Sequence, residues 1–197
     1  MGKYFLIGIP DSGKSTLGKL AADILEFPFY DTDIMAAKQV DFKSFANIFT
    51  SDFGQKFMDA QLSAIIETAR LDGDAIISTG AEVSLVPECV RYMRNNGTII
   101  HIKRNPELIL ERLKNRKGRK VVLRDVKTGI EIDTQLDVVK RYMEEYSKYE
   151  AIADLYLENN KNEDKGARKL VMLINKCQAK NKEIQYEDNK ISSNVYL

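Results

Sequence analysis

The stretch that most constrains the fold of this chain is GIPDSGKS, residues 8–15, which fits the pattern G-x-x-x-x-G-K-[ST] at every position. It follows a short apolar run, residues 4–7, and precedes a helical pattern. Glycines at the two fixed positions let successive backbone N–H groups surround a phosphate, and the following helix adds its positive end. We therefore predict a nucleotide phosphate site whose contacting residues are Gly8, Pro10, Asp11, Ser12, Gly13, Lys14, Ser15 and Thr16.

Two side chains of this loop have predicted chemical roles, and the predicted cofactors are ATP and Mg²⁺. Lys14 is long enough to reach the outer phosphates, and the hydroxyl of Ser15 is a suitable ligand for Mg²⁺. The alternative is an ordinary glycine-rich turn between a strand and a helix. The apolar run before the loop and the helical pattern after it favour phosphate binding.

Short apolar runs alternate with helical patterns along the rest of the chain. Strands are expected at residues 4–7, 27–30, 75–77, 98–102 and 155–157, with helices between them. This alternation predicts a parallel sheet with helices on both faces. The expected fold class is therefore α/β: a three-layer P-loop NTPase fold, with a central parallel sheet of about five strands flanked by helices, and a small lid.

Two carboxylates follow the second expected strand. Asp31 and Asp33 lie at its carboxyl end, where ligands bind in open parallel sheets. Asp31 is placed to hold Mg²⁺ through water, and Asp33 lies on the same side if the segment stays extended. Asp33 could then accept a hydrogen bond from the hydroxyl of a phosphate acceptor. The alternative is that both residues simply end the strand, because Asp favours turns.

A basic, glycine-containing stretch, residues 116–120, follows the helix that begins at Pro106. Arg116 and Arg119 could belong to a mobile lid, and a lid arginine can stabilise the charge of a transferred phosphate. The alternative is a solvated basic loop, which is the commoner meaning of such a run. Residues 121–123 and 130–132 are expected to form a small hairpin.

The composition bears on partners and location. Lys and Arg total 30 and Asp and Glu total 29, so the net charge of +1 gives no global attraction to nucleic acid. No apolar run approaches the roughly 20 residues that cross a bilayer. The only two cysteines, Cys89 and Cys177, are expected to be packing residues in a reducing compartment. We expect a cytoplasmic monomer or weak homodimer that binds a nucleotide and a small molecule, with no nucleic acid or membrane partner.

Two other features are interpreted as structural. His101 lies within an apolar run and is expected to be a hydrogen-bonded sheet residue rather than a catalytic base. Tyr142, Tyr146 and Tyr149 have helical spacing and are expected to form a packing stripe.

The motifs, taken in order, resemble those of the shikimate kinases, small P-loop kinases of the nucleoside-monophosphate-kinase type. The matching segments are FLIGIPDSGKSTLGKLAA, FPFYDTD, IISTG, PECVRYMRNNGTIIHI and PELILERL, between about residues 3 and 175. The resemblance implies transfer of the γ-phosphate of ATP to the 3-hydroxyl of shikimate. It implies that Asp31 is the Mg²⁺-associated carboxylate and that Asp33 holds the substrate hydroxyls. Gly80 would line the substrate pocket and Arg119 would be the lid arginine.

Domain organisation follows from the extent of these motifs. We expect a single P-loop kinase domain over residues 1–179, with its lid at about residues 116–134. The last helix is expected over residues 165–176. Residues 180–197 are polar with little periodicity and are expected to form a flexible tail.

Departures from the family pattern fall at the carboxylate-binding end of the substrate site. Met58 follows Phe57 where the family has an arginine, and Glu145 stands where a second substrate arginine is expected. The family's triple glycine after the third strand reads Gly80-Ala81-Glu82 here. The residues expected at the substrate pocket are Asp33, Met58, Gly80, Ala81 and Glu82.

Three functions stay open on the sequence. The first is phosphorylation of shikimate, with Lys56, Arg91 or Arg94 replacing the missing cations. The second is a kinase of the same fold whose hydroxylated acceptor lacks the carboxylate or carries positive charge. The third is a nucleotide-binding regulatory protein without turnover, against which the presence of both Asp31 and Asp33 argues.

Overall fold

The computed structural model describes residues 2–40, 51–115, 123–124, 131–132, 144, 146–160 and 162–194. Its strands are β1 Lys3–Ile7, β2 Phe29–Asp31, β3 Ala75–Ser78, β4 Gly97–Lys103, β5 Leu123–Arg124, β6 Glu131–Ile132 and β7 Leu155–Glu158. Five of them form one sheet in the order β2-β3-β1-β4-β7, and every neighbouring pair is parallel. The predicted α/β fold with a five-stranded parallel sheet is confirmed.

Helices connect the strands, and the one that begins at Thr32 was not predicted from the sequence. They are α1 Lys14–Leu25, α2 Thr32–Gln39, α3 Ser51–Arg70, α4 Pro87–Asn96, α5 Pro106–Asn115, α6, which is described over residues 146–152, and α7 Glu163–Asn194. A short 3-10 turn, Glu82–Leu85, follows β3. Within the described ranges, no helix combines the length and the apolar character that a membrane span requires.

The two faces of the sheet carry separate cores, because successive strand residues point to opposite sides. On β1, Phe5 and Ile7 face one core, and Tyr4 and Leu6 face the other. The first core includes residues of α3, α4 and α5, and the second is closed by α1 and α7. The free cysteines follow this division, since Cys89 belongs to the first core and Cys177 packs against the second. They are packing residues, as predicted.

The small hairpin is confirmed at its two strands. β5 and β6 are antiparallel, with Leu123 opposite Ile132 and Arg124 opposite Glu131. The turn between them lies outside the described residues, as do most residues of the expected lid.

The C-terminal segment differs from its prediction. The last helix was expected to end near Lys176, and this bound is wrong because α7 runs to Asn194. That residues 180–197 form a flexible tail stays a prediction. The chain contains no Gly or Pro after Gly166. A helix anchored by buried Leu170 and Ile174 therefore meets no residue that would stop it.

Candidate active site

The loop of residues 8–13 joins the carboxyl end of β1 to the start of α1. Three of its residues have positive φ angles: Gly8 with φ 142°, Asp11 with φ 62° and Gly13 with φ 95°. A Cβ at position 13 would also lie 2.5 Å from Asn159 Nδ2, so glycine is required there. Asn159 is buried directly after β7, and its Nδ2 donates to the carbonyl of Ser12 at 2.8 Å. The far edge of the sheet therefore holds the loop in place.

Lys14 is the buried cation of this loop. Its Nζ donates to the carbonyl oxygens of Gly8 at 2.7 Å and Ile9 at 3.0 Å. Burial lowers the pKa of Lys14 to about 8, against the opposing charges of Asp33, Asp31 and Asp11. The ammonium group therefore lies inside the curve of the loop. An anion would complete its electrostatic environment.

Ser15 and Asp31 pair beside the loop. Ser15 Oγ donates to Asp31 Oδ2 at 2.7 Å and lies 3.0 Å from Ser78 Oγ at the end of β3. The other oxygen, Asp31 Oδ1, accepts the backbone N–H groups of Asp33 at 3.1 Å and Ile34 at 3.3 Å. Asp31 is thus the N-cap of α2 and the end of β2 at once.

Asp33 does not lie in an extended segment. The condition that the segment stays extended is not met, because Thr32 begins a helix as soon as Asp31 caps it. Asp33 belongs to the first helical turn, and its carboxylate accepts a hydrogen bond from Gln61 Nε2. The residue as a whole is exposed to solvent. Burial of its carboxyl group and the negative charge of Asp31 nevertheless raise the pKa of Asp33, while Gln61 and Lys14 act to lower it.

The expected substrate residues lie around this carboxylate. Gly80 is buried, and a Cβ there would lie 2.6 Å from Asp33 Oδ1. Met58 is half-buried on α3, one helical turn before Gln61 and so on the same side. Ala81 is half-buried, with its carbonyl accepting from Tyr149 Oη at 3.0 Å. Glu82 is exposed at the start of the 3-10 turn.

The other phosphate-loop residues are where the motif expects them. Ser12 is buried, Asp11 is half-buried, and Pro10 and Thr16 are exposed at the outer side of the loop and the first turn of α1. The expected lid arginines Arg116 and Arg119 lie outside the described residues, as does Glu145. Their assignments stay predictions.

Two of the three cations considered as substitutes for the missing arginines are engaged elsewhere. Arg94 Nη2 donates to the carbonyl of Ala151 at 3.1 Å. The end of α4 leads directly into the first residue of β4, so Arg94 lies at the edge of the sheet opposite to the loop. Arg91 pairs with Glu88 on the exposed surface of α4 at 3.6 Å. Lys56 is exposed on α3.

His101 and the tyrosines form part of the packing behind the loop. The His101 ring lies 5.0 Å from that of Tyr146 and 5.3 Å from that of Tyr149, between ring centroids. His101 is a buried β4 residue as expected. The expected hydrogen bond of its side chain is not found, because neither ring nitrogen has a partner among the residues that the structure describes. Tyr142 lies outside the described residues.

Sequence reasoning missed three polar residues of this site. Thr32 and Gln61 connect Asp33 to the end of β3, and Asn159 holds the loop. A signal existed for Gln61, which interrupts the apolar face of α3 beside Ala60 and Ala64. Asn159 directly follows a strand, the position where the topology predicts site residues.

Comparison with known proteins agrees with this geometry. The family model described as shikimate kinase matches residues 10–175. A shikimate kinase of Caldanaerobacter subterraneus subsp. tengcongensis is 36% identical over 119 residues, which is 60% of this chain and 68% of that protein. The shikimate kinase of Aquifex aeolicus is 28% identical over 172 residues, 87% of this chain and 95% of that protein.

Structural similarity extends over the same region. The structure of shikimate kinase from Acinetobacter baumannii in complex with shikimate superposes with a TM-score of 0.74, covering 88% of this chain and 93% of that one. The sequence identity in that comparison is 18%, so it demonstrates the fold alone.

A phosphate loop at the carboxyl edge of a parallel sheet, with a buried lysine and a serine–aspartate pair, defines a P-loop nucleotide-binding protein. The family model that matches residues 10–175 then identifies one family within that class. The chain belongs to the shikimate kinase family, whose members are ATP-dependent phosphotransferases.

Proposed function

We propose that this protein is an ATP- and Mg²⁺-dependent kinase that transfers the γ-phosphate to a hydroxyl group of a small molecule, with shikimate as the acceptor. The observation that carries the proposal is the convergence of Lys14, the Ser15–Asp31 pair and Asp33 at one edge of the sheet. Phosphoryl transfer requires charge neutralisation and in-line positioning more than covalent chemistry. These residues supply both on the nucleotide side and the acceptor side of one cleft.

The donor set of Ser15 and Asp31 fits Mg²⁺. The ion prefers oxygen ligands and is commonly held by one or two protein oxygens together with substrate phosphates and water. No group of three or more His, Cys, Asp or Glu that could hold a metal exists within the described parts of the chain, which is consistent with an ion shared with the nucleotide. When bound, Mg²⁺ would neutralise part of the phosphate charge.

The residues of the chain have separate tasks in the proposed reaction. Lys14 stabilises the outer phosphates, whose negative charge favours its protonated form. Asp33 accepts a hydrogen bond from the acceptor hydroxyl and orients its oxygen toward the γ-phosphorus. As that oxygen bonds to phosphorus, the bond from phosphorus to the bridging oxygen of ADP breaks, and the hydroxyl proton moves to Asp33. The raised pKa of Asp33 suits it to receive this proton.

Steady-state assays with ATP, Mg²⁺ and shikimate test this proposal. We expect shikimate-dependent ADP formation that is lost in Lys14→Ala, because that variant lacks the buried cation. Absence of turnover at millimolar shikimate would exclude shikimate as the acceptor. Nucleotide binding without turnover on any acceptor would favour a regulatory protein instead.

A second candidate is a kinase of the same fold for an acceptor without a carboxylate. Met58 favours it, because a neutral side chain stands one turn from Gln61 where the resemblance places an arginine. A charge-assisted hydrogen bond contributes roughly 1.5–3 kcal/mol. Loss of one or two such bonds would weaken a carboxylate substrate on the order of a hundredfold. A thermal-shift screen of polyols, amino alcohols and sugars tests this candidate, and selective stabilisation by shikimate alone would reject it.

The same proposal includes a cytoplasmic location and a monomeric or weakly dimeric state. The free thiols of Cys89 and Cys177 are compatible with a reducing compartment. Sedimentation analysis with and without nucleotide would measure the oligomeric state.

A further inference from the structure

A directed chain of hydrogen bonds ends at Asp33. The backbone N–H of Gly80, just beyond β3, donates to Thr32 Oγ1 at 3.1 Å. Thr32 Oγ1 donates to Gln61 Oε1 at 2.6 Å, and Gln61 Nε2 donates to Asp33 Oδ1. Thr32 is 0% exposed and Gln61 is 2% exposed, so the first two bonds are shielded from water. The chain joins α2, α3 and the end of β3.

The polarity of each donor fixes the direction of the chain. Because the Thr32 hydroxyl accepts the N–H of Gly80, its own proton is left for Gln61 Oε1. An amide whose oxygen faces Thr32 turns its NH₂ group toward Asp33, where an ionised carboxylate accepts it. A reversed amide would place its oxygen against Asp33 Oδ1, with no proton between two acceptors. The backbone after β3 therefore sets the orientation of the amide, and the amide sets that of the carboxylate.

We propose that Gln61 is a positioning residue for phosphate transfer: it holds Asp33 Oδ1 and leaves the other carboxylate oxygen to the acceptor hydroxyl. The inference rests on the proposed function, in which Asp33 binds that hydroxyl. Asp33 lies in the first turn of a helix of eight residues, and without a partner its side chain could take other rotamers. Misplacement of a reacting group by about 1 Å is enough to slow a reaction severely.

The side-chain types at positions 61 and 80 fit this role. A Glu at position 61 would place a second carboxylate against Asp33, and a Met would leave Thr32 Oγ1 and Asp33 Oδ1 without their partner. A Cβ at position 80 would lie 2.5 Å from Gln61 Nε2 and 2.6 Å from Asp33 Oδ1. The chain of hydrogen bonds therefore needs an amide at position 61 and a glycine at position 80.

Steady-state kinetics of Gln61→Met with ATP and shikimate test the inference. We expect kcat/KM for shikimate to fall about ten- to a hundredfold, while KM for ATP stays within about twofold. Gln55→Met is the matched control, because Gln55 donates to Asp59 at 2.8 Å on the exposed side of the same helix. The control should retain wild-type values. A rise in KM for ATP as large as the fall in kcat/KM for shikimate, or no fall in kcat/KM for shikimate, would overturn the inference.

A second pair of variants tests the upstream bond. Thr32→Val removes the hydroxyl that orients the amide and should reproduce the kinetic defect of Gln61→Met. Thr32→Ser keeps a hydroxyl and should restore kcat/KM for shikimate. If Thr32 had only a structural role, packing would decide the size of the kinetic defect. Thr32→Val would then be the milder of the two changes, because it conserves volume. That order would contradict the positioning role.

The position of the Asp33 side chain can also be measured by crystallography, which does not depend on catalytic turnover. In crystals of the wild-type protein we expect one Asp33 rotamer, and in Gln61→Met more than one or a different one. Wild-type protein that does not phosphorylate shikimate but shows this difference would refute the proposed acceptor and leave the positioning role standing. An unchanged Asp33 in Gln61→Met would refute the positioning role, whatever the kinetics of the wild type.

Discussion

The single histidine of the chain allows a prediction about the stability of the protein in acid. His101 is fully buried in β4 against Tyr146 and Tyr149, and its ring nitrogens have no hydrogen-bond partner within the described part of the chain. Burial, together with the positive charge of Lys103, lowers the pKa of His101 to about 4, although Glu150 acts in the opposite direction. We predict that the folded protein loses stability in mild acid through this one residue.

The sign and size of the effect follow from proton linkage. In the unfolded chain His101 titrates near its ordinary pKa of 6.5. Below pH 6.5 the unfolded chain binds a proton that the folded protein takes up only near pH 4, so unfolding becomes more favourable as the pH falls through this window. Each pH unit within this window lowers the free energy of unfolding by about 1.4 kcal/mol. The loss is therefore roughly 2 kcal/mol at pH 5 and roughly 3 kcal/mol at pH 4, and it is absent above pH 6.5.

Urea unfolding of wild type and His101→Leu between pH 7.5 and pH 4.5 measures this loss. The difference in unfolding free energy should move in favour of the variant as the pH falls, because leucine binds no proton. Carboxylates titrate in both proteins and cancel in the difference. Ile100→Val is the control, since its cost of about 0.5–1.5 kcal/mol should not depend on pH. A difference between wild type and His101→Leu that is equal at pH 7.5 and pH 5 would refute the reasoning.

Three further substitutions probe the site. Gly80→Ala should reduce turnover more than tenfold with unchanged ATP affinity, because its Cβ displaces the Asp33 carboxylate; equal turnover would show that the site has room. Asn159→Leu should cost about 1–3 kcal/mol in urea unfolding and weaken ATP in calorimetry, because the Ser12 carbonyl loses its partner; unchanged values would contradict that anchor. Met58→Arg should lower KM for shikimate about tenfold, and a higher KM would argue against a carboxylate at that end.

The fold and the nucleotide half of the site could be predicted because their signals are local. The motif of residues 8–15 specifies a strand, a loop and a helix within one short segment, and alternating apolar runs specify the parallel sheet. Asp31 at the carboxyl end of β2 followed from the same topology. The helix that starts at Thr32 did not, because a three-residue strand and a helix share a single boundary residue. Asp31 serves both, as the last residue of the strand and as the cap.

The support of the acceptor half could not be predicted because it depends on contacts between distant segments. Gln61 reaches Asp33 from 28 positions away, and Asn159 reaches Ser12 from 147 positions away. Neither residue belongs to a motif, and each would be ordinary on a helix surface or after a strand. The interruption of the apolar face by Gln61 indicates a buried polar group but does not identify its partner. In the folded chain it is a hydrogen-bonding group with a partner on another element.

Asp31 links the two halves through its two oxygens. Oδ2 binds the Ser15 hydroxyl on the nucleotide side, while Oδ1 caps the helix that carries Asp33 on the acceptor side. A ligand that engages Oδ2 can therefore replace the Ser15 contact without releasing the cap, because the cap uses the other oxygen. Gln61 and Gly80 brace the same helix from α3 and β3. The carboxylate of Asp33 is thus held by contacts that nucleotide binding need not break. A different side chain at the substrate pocket on α3, such as Met58, therefore leaves the phosphate loop unchanged.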